Sequence, residues 1–282
     1  MTTCLFVSDL HGRIDRYRKL FRAIATERPE AVFIGGDILP HHGRADIPPD
    51  FINGFFLREL ARLHDELDAA YPRVFVILGN DDERAVEPFL ATATARELIT
   101  YMHGTREPFG RWSIYGYACV PPTPFRLKDW ERYDVSRFID PGCISPEEGA
   151  RTVHVPSDEV CFGTIARDLE VLAGSDDLTD AVFLFHAPPY RTELDRAPLD
   201  NICVDHVPLD VHIGSIAVRR FIESSQPLLT LHGHAHESAR LTGAWRDRLG
   251  RTIALSAAHD GPELALVKFD LEDPESAVRK LL

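Results

Sequence analysis

Five short segments of the sequence place metal-binding side chains directly after an apolar run. In the first, Ser8-Asp9-Leu10-His11-Gly12, an aspartate and a histidine are two positions apart. Alternate side chains of extended chain lie on one face, so this pair can bind the same metal ion. The other four segments are Gly35-Gly36-Asp37, Gly79-Asn80-Asp81, Phe185-His186-Ala187 and Gly233-His234-Ala235-His236.

Each of these segments has an ordinary structural explanation when it is taken alone. Asp-x-His occurs by chance, Gly-Gly-Asp is most often a tight turn, and a single histidine before Ala-Pro-Pro is most often a hydrogen-bonded loop residue. Gly-His-x-His is more specific, because its two histidines share one face at a strand end. Five such segments in order, each at the end of a predicted strand, indicate one shared metal site.

The order of these segments resembles the calcineurin-like metallophosphoesterase family, from about residue 4 to about residue 237. The resemblance implies a centre of two divalent cations (Mn, Fe, Zn, Ni or Co, with Mn favoured). It assigns seven metal ligands: Asp9, His11, Asp37, Asn80, His186, His234 and His236. In the family pattern, one cation is held by Asp9, His11 and His236, the other by Asn80, His186 and His234, and both by the bridging Asp37.

The predicted ligands also indicate the reaction. Two carboxylates cannot neutralise two divalent cations, so the centre stays positive and attracts a phosphate ester although the protein is acidic. A hydroxide that the metals make available near neutral pH is the expected nucleophile for attack at phosphorus. The predicted catalytic residues are Asp37, Asp81 and His186.

The sequence departs from the family pattern directly after Asn80. Many phosphatases of the family have a histidine there, which stabilises the transition state and can protonate the leaving group. This chain has Asp81, whose carboxylate repels a dianionic monoester more than a monoanionic diester and is a poor acid at neutral pH. We therefore expect a phosphodiesterase that acts on a small molecule or nucleotide. His41 or His212 could supply the missing histidine function.

Two alternatives stay open. One is a phosphomonoesterase of the same fold, and the other is a non-catalytic scaffold that binds a protein partner. For substrate binding, the sequence offers His41, Tyr190 and His212 as candidates in loops near the predicted strand ends. Solvent-exposed loop positions are the ordinary explanation for all three.

Alternating apolar and amphipathic stretches predict the elements that position these residues. Buried strands are predicted at 4–7, 31–34 and 74–78, with helices between them, which indicates a parallel sheet with right-handed crossovers. Further strands are predicted at 112–118, 181–185, 228–231, 252–256 and 264–269. Two strand-rich halves suggest two packed sheets. The family resemblance implies an α/β fold of this kind, a four-layer α/β/β/α sandwich of two mixed β-sheets flanked by helices.

We expect a single domain over residues 1–282, interrupted by an irregular excursion at about 120–156. Six prolines and several aromatic residues mark this excursion, which is expected to contain one short helix at most. Long excursions in compact domains are usually either functional lids or decoration. A single helix is predicted to start at Ser157 and to bury Ile165, Leu169 and Leu172.

Composition limits the partners. The net charge of −13 argues against extended binding to nucleic acid or to anionic membranes, because both need a basic surface. The five cysteines are scattered and odd in number, which favours reduced thiols over disulfides. No signal peptide pattern and no membrane-spanning apolar run is found, so a cytoplasmic protein is expected. The oligomeric state cannot be inferred from these features.

Overall fold

Two mixed β-sheets pack against each other in the computed structural model, which describes residues 1–40 and 50–282. The strands are β1 (Thr3–Val7), β2 (Ala31–Gly35), β3 (Arg73–Ile77), β4 (Thr100–Tyr101), β5 (Thr105–Phe109), β6 (Trp112–Tyr117), β7 (Ala181–Phe185), β8 (Cys203–Val204), β9 (Val207–Pro208), β10 (Leu229–His232), β11 (Arg246–Leu249), β12 (Thr252–Ser256), β13 (Ala265–Asp270) and β14 (Asp273–Leu281).

Four neighbouring strands of each sheet are parallel. The first sheet has the order β14-β13-β1-β2-β3-β4, and β1 to β4 are parallel. The second has the order β11-β12-β10-β7-β6-β5, and β12, β10, β7 and β6 are parallel. Antiparallel strands form one edge of the first sheet (β13 and β14) and both edges of the second (β11 and β5), whereas the parallel β4 lies at the other edge of the first. The carboxyl ends of β1, β2 and β3 therefore share one edge of the first sheet, as those of β7 and β10 share one edge of the second.

Helices flank both sheets. They are α1 (Ile14–Glu27), α2 (Arg58–Leu67), α3 (Glu87–Ala95), α4 (Ser157–Phe162), α5 (Ile165–Ala173), α6 (Ile216–Ser225) and α7 (Ser238–Thr242). A π-helical stretch, Ile52–Leu57, leads directly into α2. Helix α1 packs against α2, and α5 packs against α6. The predicted architecture of two mixed sheets flanked by helices is confirmed. No helix in the described part of the chain is long and apolar enough to cross a membrane.

Alternation along the strands sorts aromatic side chains between the two faces of each sheet. Phe33 stacks on Phe75 with ring centroids 5.2 Å apart, and Phe75 also contacts Phe109 of the second sheet. These rings belong to the layer between the sheets. In the second sheet, Phe183 contacts the ring of Phe221 on α6, so it faces the outer helices. Both faces are therefore buried, as continuous apolar strands require.

The structure differs from the sequence prediction in several elements. The single helix predicted from Ser157 is wrong, since α4 ends at Gly163 and α5 starts afresh with Thr164 as its N-cap. A Cβ at Gly163 would collide with the guanidinium of Arg132, so the chain bends where that arginine passes. Strand β14 was not predicted. Its largely exposed sequence alternates too weakly to give a strand pattern.

The excursion at 120–156 contains no helix and is held by buried polar contacts. Lys128 and Glu131 form a fully buried ion pair, and Lys128 Nζ also donates to the carbonyl of Thr123 at 2.8 Å. Asp134 accepts the backbone N–H of Ile216 at 2.7 Å, at the start of α6. The first two contacts hold the excursion together internally, and the third fastens it to the start of α6.

Shortening one aromatic side chain tests whether the layer between the sheets is a core. We expect Phe75→Ala to lower the free energy of unfolding by about 3–5 kcal/mol, because the ring is fully buried and leaves a cavity. Phe89→Ala, at a position 46% exposed, is the matched control and should change it by less than about 0.5 kcal/mol. Urea denaturation measures both values. Equal effects of the two changes would contradict a core between the sheets.

Candidate metal centre

Left-handed backbone conformations occur at four of the predicted ligands. The φ angles are 56° at Asp9, 46° at His11, 52° at Asp37 and 71° at His234. Residues other than glycine adopt this conformation rarely, and such strain concentrates at functional sites. The turns reverse the chain directly after each strand, so the side chains point to a common region instead of continuing the sheet.

The loops after β1 and β2 run side by side. The N–H of Asp9 donates to the carbonyl of Gly36 at 3.0 Å, and the N–H of His11 donates to that of Asp37 at 2.8 Å. Gly36 has a φ of 94°, and a Cβ there would lie 2.7 Å from His186 Nδ1. Glycine at this position thus allows the edge of the second sheet to approach the first.

Four predicted ligands form a first group: Asp9, His11, Asp37 and His236. One ligand atom from each lies within 4.8 Å of all the others, the spacing that a shared cation requires. His236 Nε2 is 3.1 Å from Asp9 Oδ1 and 3.1 Å from His11 Nε2. Asp9 Oδ2 is buried and has no hydrogen-bond partner in residues 1–40 and 50–282. A cation would satisfy this carboxylate oxygen.

The remaining ligands form a second group around Asn80. Asn80 Oδ1 is 2.7 Å from His234 Nδ1 and 3.1 Å from His186 Nε2. Asp37 lies between the groups, because its Oδ2 is 3.3 Å from His186 Nε2 and 3.9 Å from His11 Nε2. The structure therefore brings all seven predicted ligands together, with Asp37 in the position that a bridging ligand needs.

Hydrogen bonds around the centre orient the ligand atoms. His186 Nδ1 is 2.7 Å from the carbonyl of Gly35, so this nitrogen carries a proton and Nε2 is the ring nitrogen that faces the centre. Asp9 Oδ1 accepts the N–H of His234 at 3.0 Å, and Asp37 Oδ1 accepts that of Asp81 at 2.9 Å. These bonds join the ends of strands from both sheets.

The electrostatic pairing of the ligands is strong. Burial alone would raise the pKa of Asp9, but the adjacent His236 lowers it to about 2. Asp37 behaves in the same way, because His186 holds its pKa far below the usual range despite burial. Burial alone would lower the pKa values of the two histidines. Instead, Asp37 raises the pKa of His186 to about 10, and Asp9 raises the pKa of His236 to about 9.

Asp82 is a structural residue of the site, and the sequence motifs did not single it out. The side chain is fully buried and accepts the N–H groups of Ile38 at 3.1 Å, Leu39 at 2.7 Å and Gly79 at 2.9 Å. Burial, aided by the charge of Asp37, raises the pKa of Asp82 to about 7. Asp82 thus fastens the loop after β2 to the loop after β3, and nothing in the sequence distinguishes it from Asp81.

Arg16 is a second residue whose role the sequence did not reveal. Arginine side chains of a surface helix are usually exposed, but Arg16 is only 3% exposed. Its guanidinium donates to the carbonyls of Asp9 and Gly261, both at 2.5 Å. It therefore holds the turn after β1 against the connection between β12 and β13, which leads from the second sheet to the first.

The other sequence-predicted residues have different positions. Asp81 lies beside the first group, with Oδ2 3.8 Å from His11 Nδ1. Tyr190 and His212 lie together in the loop after His186, with ring centroids 6.0 Å apart. His41 lies outside the described residues. These findings locate Tyr190 and His212 but do not test their predicted contact with substrate.

Comparison with known proteins identifies the family. The sequence profile described as "Calcineurin-like phosphoesterase" matches residues 2–238. The chain belongs to this family. Calcineurin-like phosphoesterases use a dinuclear site for divalent metals, and the buried oxygen of Asp9, the grouped ligands and the mixed nitrogen and oxygen donors all fit such a centre. The chain is accordingly a phosphoester hydrolase by family.

Solved structures share the fold of this calcineurin-like phosphoesterase at low sequence identity. The protein TT1561 of Thermus thermophilus is 16% identical with a TM-score of 0.58, over 99% of this chain and 98% of that one. A dimetal phosphatase from Danio rerio is 17% identical with a TM-score of 0.52, over 99% of this chain and 95% of that one. A comparison with curated proteins found no match.

Metal content tests the position of Asp37 between the two groups. We expect the wild-type protein to bind about two equivalents of Mn²⁺ and Asp37→Asn to bind less than about one, because both groups lose a shared carboxylate. His64→Asn, at a histidine on α2 with a 40% exposed side chain, is the control and should leave the content unchanged. Elemental analysis after gel filtration measures it. Full occupancy in Asp37→Asn would contradict the bridging position.

Proton release tests the pairing of His186 and His236 with the carboxylates. Both pKa values lie above 7, so both rings are protonated at pH 7 when no cation is bound. Cations need the neutral rings, so binding at pH 7 should release about two protons, and affinity should fall as the pH is lowered. Calorimetric titration in buffers of different ionisation enthalpy counts the protons. Heats that do not depend on the buffer would contradict this pairing.

Proposed function

We propose that this chain is a dinuclear metal-dependent phosphodiesterase that acts on a small molecule or nucleotide. The observation that carries the proposal is the carboxylate of Asp81 beside a complete set of seven ligands. Its Oδ2 lies 3.8 Å from His11 Nδ1, and the side chain is 27% exposed. A carboxylate at the edge of the centre repels a dianionic monoester more strongly than a monoanionic diester.

The residues of the centre have different roles in hydrolysis. When bound, two divalent cations, with Mn²⁺ favoured, supply the Lewis acidity and the hydroxide that phosphate ester hydrolysis needs near neutral pH. Asp37 holds the two halves of the centre at a fixed separation through its contacts with His186 and the N–H of Asp81. His186 keeps one tautomer through its bond to Gly35. We therefore assign Asp37, Asp81 and His186 to the catalytic centre.

Substrate contacts are proposed in the loop after β7. Tyr190 and His212 lie in this loop, which begins at the ligand His186 and ends at Ser215, the N-cap of α6, whose N–H donates to the carbonyl of Pro188. Loops at the carboxyl ends of parallel strands are the usual position of substrate-binding residues in α/β proteins. We retain His41 as a third candidate from the sequence alone.

Domain organisation, location and partners complete the proposal. We propose a single domain over 1–282, in which the 120–156 excursion covers one side of the centre. Arg84, three residues after Asp81, supports this, since its N–H donates to Asp129 at 2.8 Å and its guanidinium lies 5.2 Å from the Trp130 ring centroid. Free cysteines support a cytoplasmic location. The acidic balance supports a small substrate without extended nucleic-acid or membrane binding.

Paired aryl esters test the substrate preference. With Mn²⁺-loaded protein, we expect methyl 4-nitrophenyl phosphate, a diester, to react at least about tenfold faster than 4-nitrophenyl phosphate, a monoester. The release of 4-nitrophenolate measures both rates, and Asp37→Asn should abolish both. Faster turnover of the monoester would overturn the diester preference but keep the enzyme. No turnover of either ester, without bound metal, would favour a scaffold role.

Two substitutions separate the possible effects of Asp81. Asp81→Asn removes the charge without adding an acid, while Asp81→His restores the residue that many relatives have. We expect both to raise monoester turnover relative to diester turnover, and Asp81→His to do so more strongly. An unchanged ratio in both variants would contradict the role given to the Asp81 carboxylate.

A further inference from the structure

A buried aspartate orients one histidine in the loop after β7. His212 Nδ1 lies 2.8 Å from Asp195 Oδ1, and the His212 side chain is 27% exposed whereas Asp195 is fully buried. Nδ1–H therefore donates to the carboxylate, and Nε2 is the ring nitrogen left for other partners. The pair is not part of the seven-ligand centre.

The carboxylate of Asp195 is itself fixed by backbone donors. It accepts the N–H of Arg191 at 2.8 Å, of Thr192 at 3.0 Å and of Gly214 at 3.3 Å. A Cβ at Gly214 would lie 2.9 Å from Asp195 Cβ, so the loop closes tightly around this side chain. Such an arrangement keeps the His212 ring in one orientation, as a proton donor requires.

The same loop is anchored next to both histidine segments of the metal centre. The N–H of Ser215 donates to the carbonyl of Pro188 at 2.8 Å, two residues after His186. The N–H of Arg196 donates to Ser238 Oγ at 3.0 Å, two residues after His236. The Asp195–His212 pair thus belongs to a loop held between the two ligand segments of the second sheet.

The groups beside His212 in the described part of this loop are hydrogen-bonded to one another. Tyr190 Oη donates to Asp210 Oδ2 at 2.5 Å, so its proton is already engaged. Asp210 Oδ1 accepts the backbone N–H of His212 at 2.9 Å, and the Arg191 guanidinium lies 5.2 Å from the Tyr190 ring centroid. Two carboxylates thus face His212 from its own loop, and one guanidinium lies beyond the Tyr190 ring.

We propose that His212, positioned by Asp195, is the general acid that protonates the leaving group of the phosphodiester. This inference rests on the proposed function and assigns the role that Asp81 fills poorly. In the step, a hydroxide oxygen forms a bond to phosphorus while the bond from phosphorus to the leaving oxygen breaks. The electron pair of that bond stays on the leaving oxygen, which takes the proton from His212 Nε2. Solvent then reprotonates the neutral ring.

The dependence of kcat on the leaving group tests the proposal. A general acid accelerates the departure of a poor leaving group much more than that of a good one, so its loss should affect the two unequally. The substrates are methyl phenyl phosphate, whose leaving group needs a proton, and methyl 4-nitrophenyl phosphate, whose leaving group needs it much less. We expect His212→Asn to lower kcat about 100-fold or more on the first and less than about tenfold on the second. Asp195→Asn should show the same direction. His206→Asn, at an exposed histidine of the same loop, should change neither rate.

A second measurement does not depend on activity. With histidine labelled with ¹⁵N and ¹³C, Mn²⁺ should broaden the His212 ring signals relative to Zn²⁺-loaded protein, and should broaden those of the exposed His64 much less. Assignment comes from the His212→Asn spectrum, and elemental analysis verifies unchanged metal content. Equal rate losses on both esters, or no broadening of the His212 signals, would overturn the role of His212. Wild-type protein inactive on both esters would instead contradict the proposed function and, with it, this role.

Discussion

The carboxylates of Asp9 and Asp37 are buried where the two sheets meet, and the rest of the site is arranged around this constraint. An isolated buried carboxylate is very unfavourable, so each needs a positive partner or several hydrogen-bond donors. Asp9 has His236 and the N–H of His234, and Asp37 has His186 and the N–H of Asp81. Each carboxylate of the first sheet is thereby paired with a histidine of the second.

This pairing explains why the backbone is strained at the centre. Opposite charges have to meet in a space that two regular strand ends would not reach. The left-handed turns at Asp9, Asp37 and His234 direct these residues towards each other. Glycine at position 36 removes the side chain that would collide with His186. Arg16 then holds the turn after β1 by donating to the carbonyl of Asp9. Asp82 holds the turns after β2 and β3 by accepting the N–H groups of Ile38 and Gly79.

The sequence was informative where one residue type has one strong chemical preference. Buried strands were predicted within one or two residues because continuous apolar runs need both faces covered, and the metal-binding segments stood out because histidines and aspartates at strand ends are unusual. Arg16 and Asp82 were missed because they act on backbone carbonyls and N–H groups, which leave no trace in side-chain patterns. The Asp195–His212 pair joins residues 17 positions apart through a loop whose path the sequence does not specify.

The pairing of β1 has a consequence for how this protein is made. Thr3 lies opposite Asp270 in the antiparallel pair of β1 and β13, so one side of β1 stays unpaired until the chain has been synthesised as far as β13. An apolar strand with an open edge is the kind of segment that pairs wrongly with other chains. During synthesis, β1 therefore has β2 as a partner but lacks β13, and nascent chains that stall before β13 expose a strand edge on which aggregation can start.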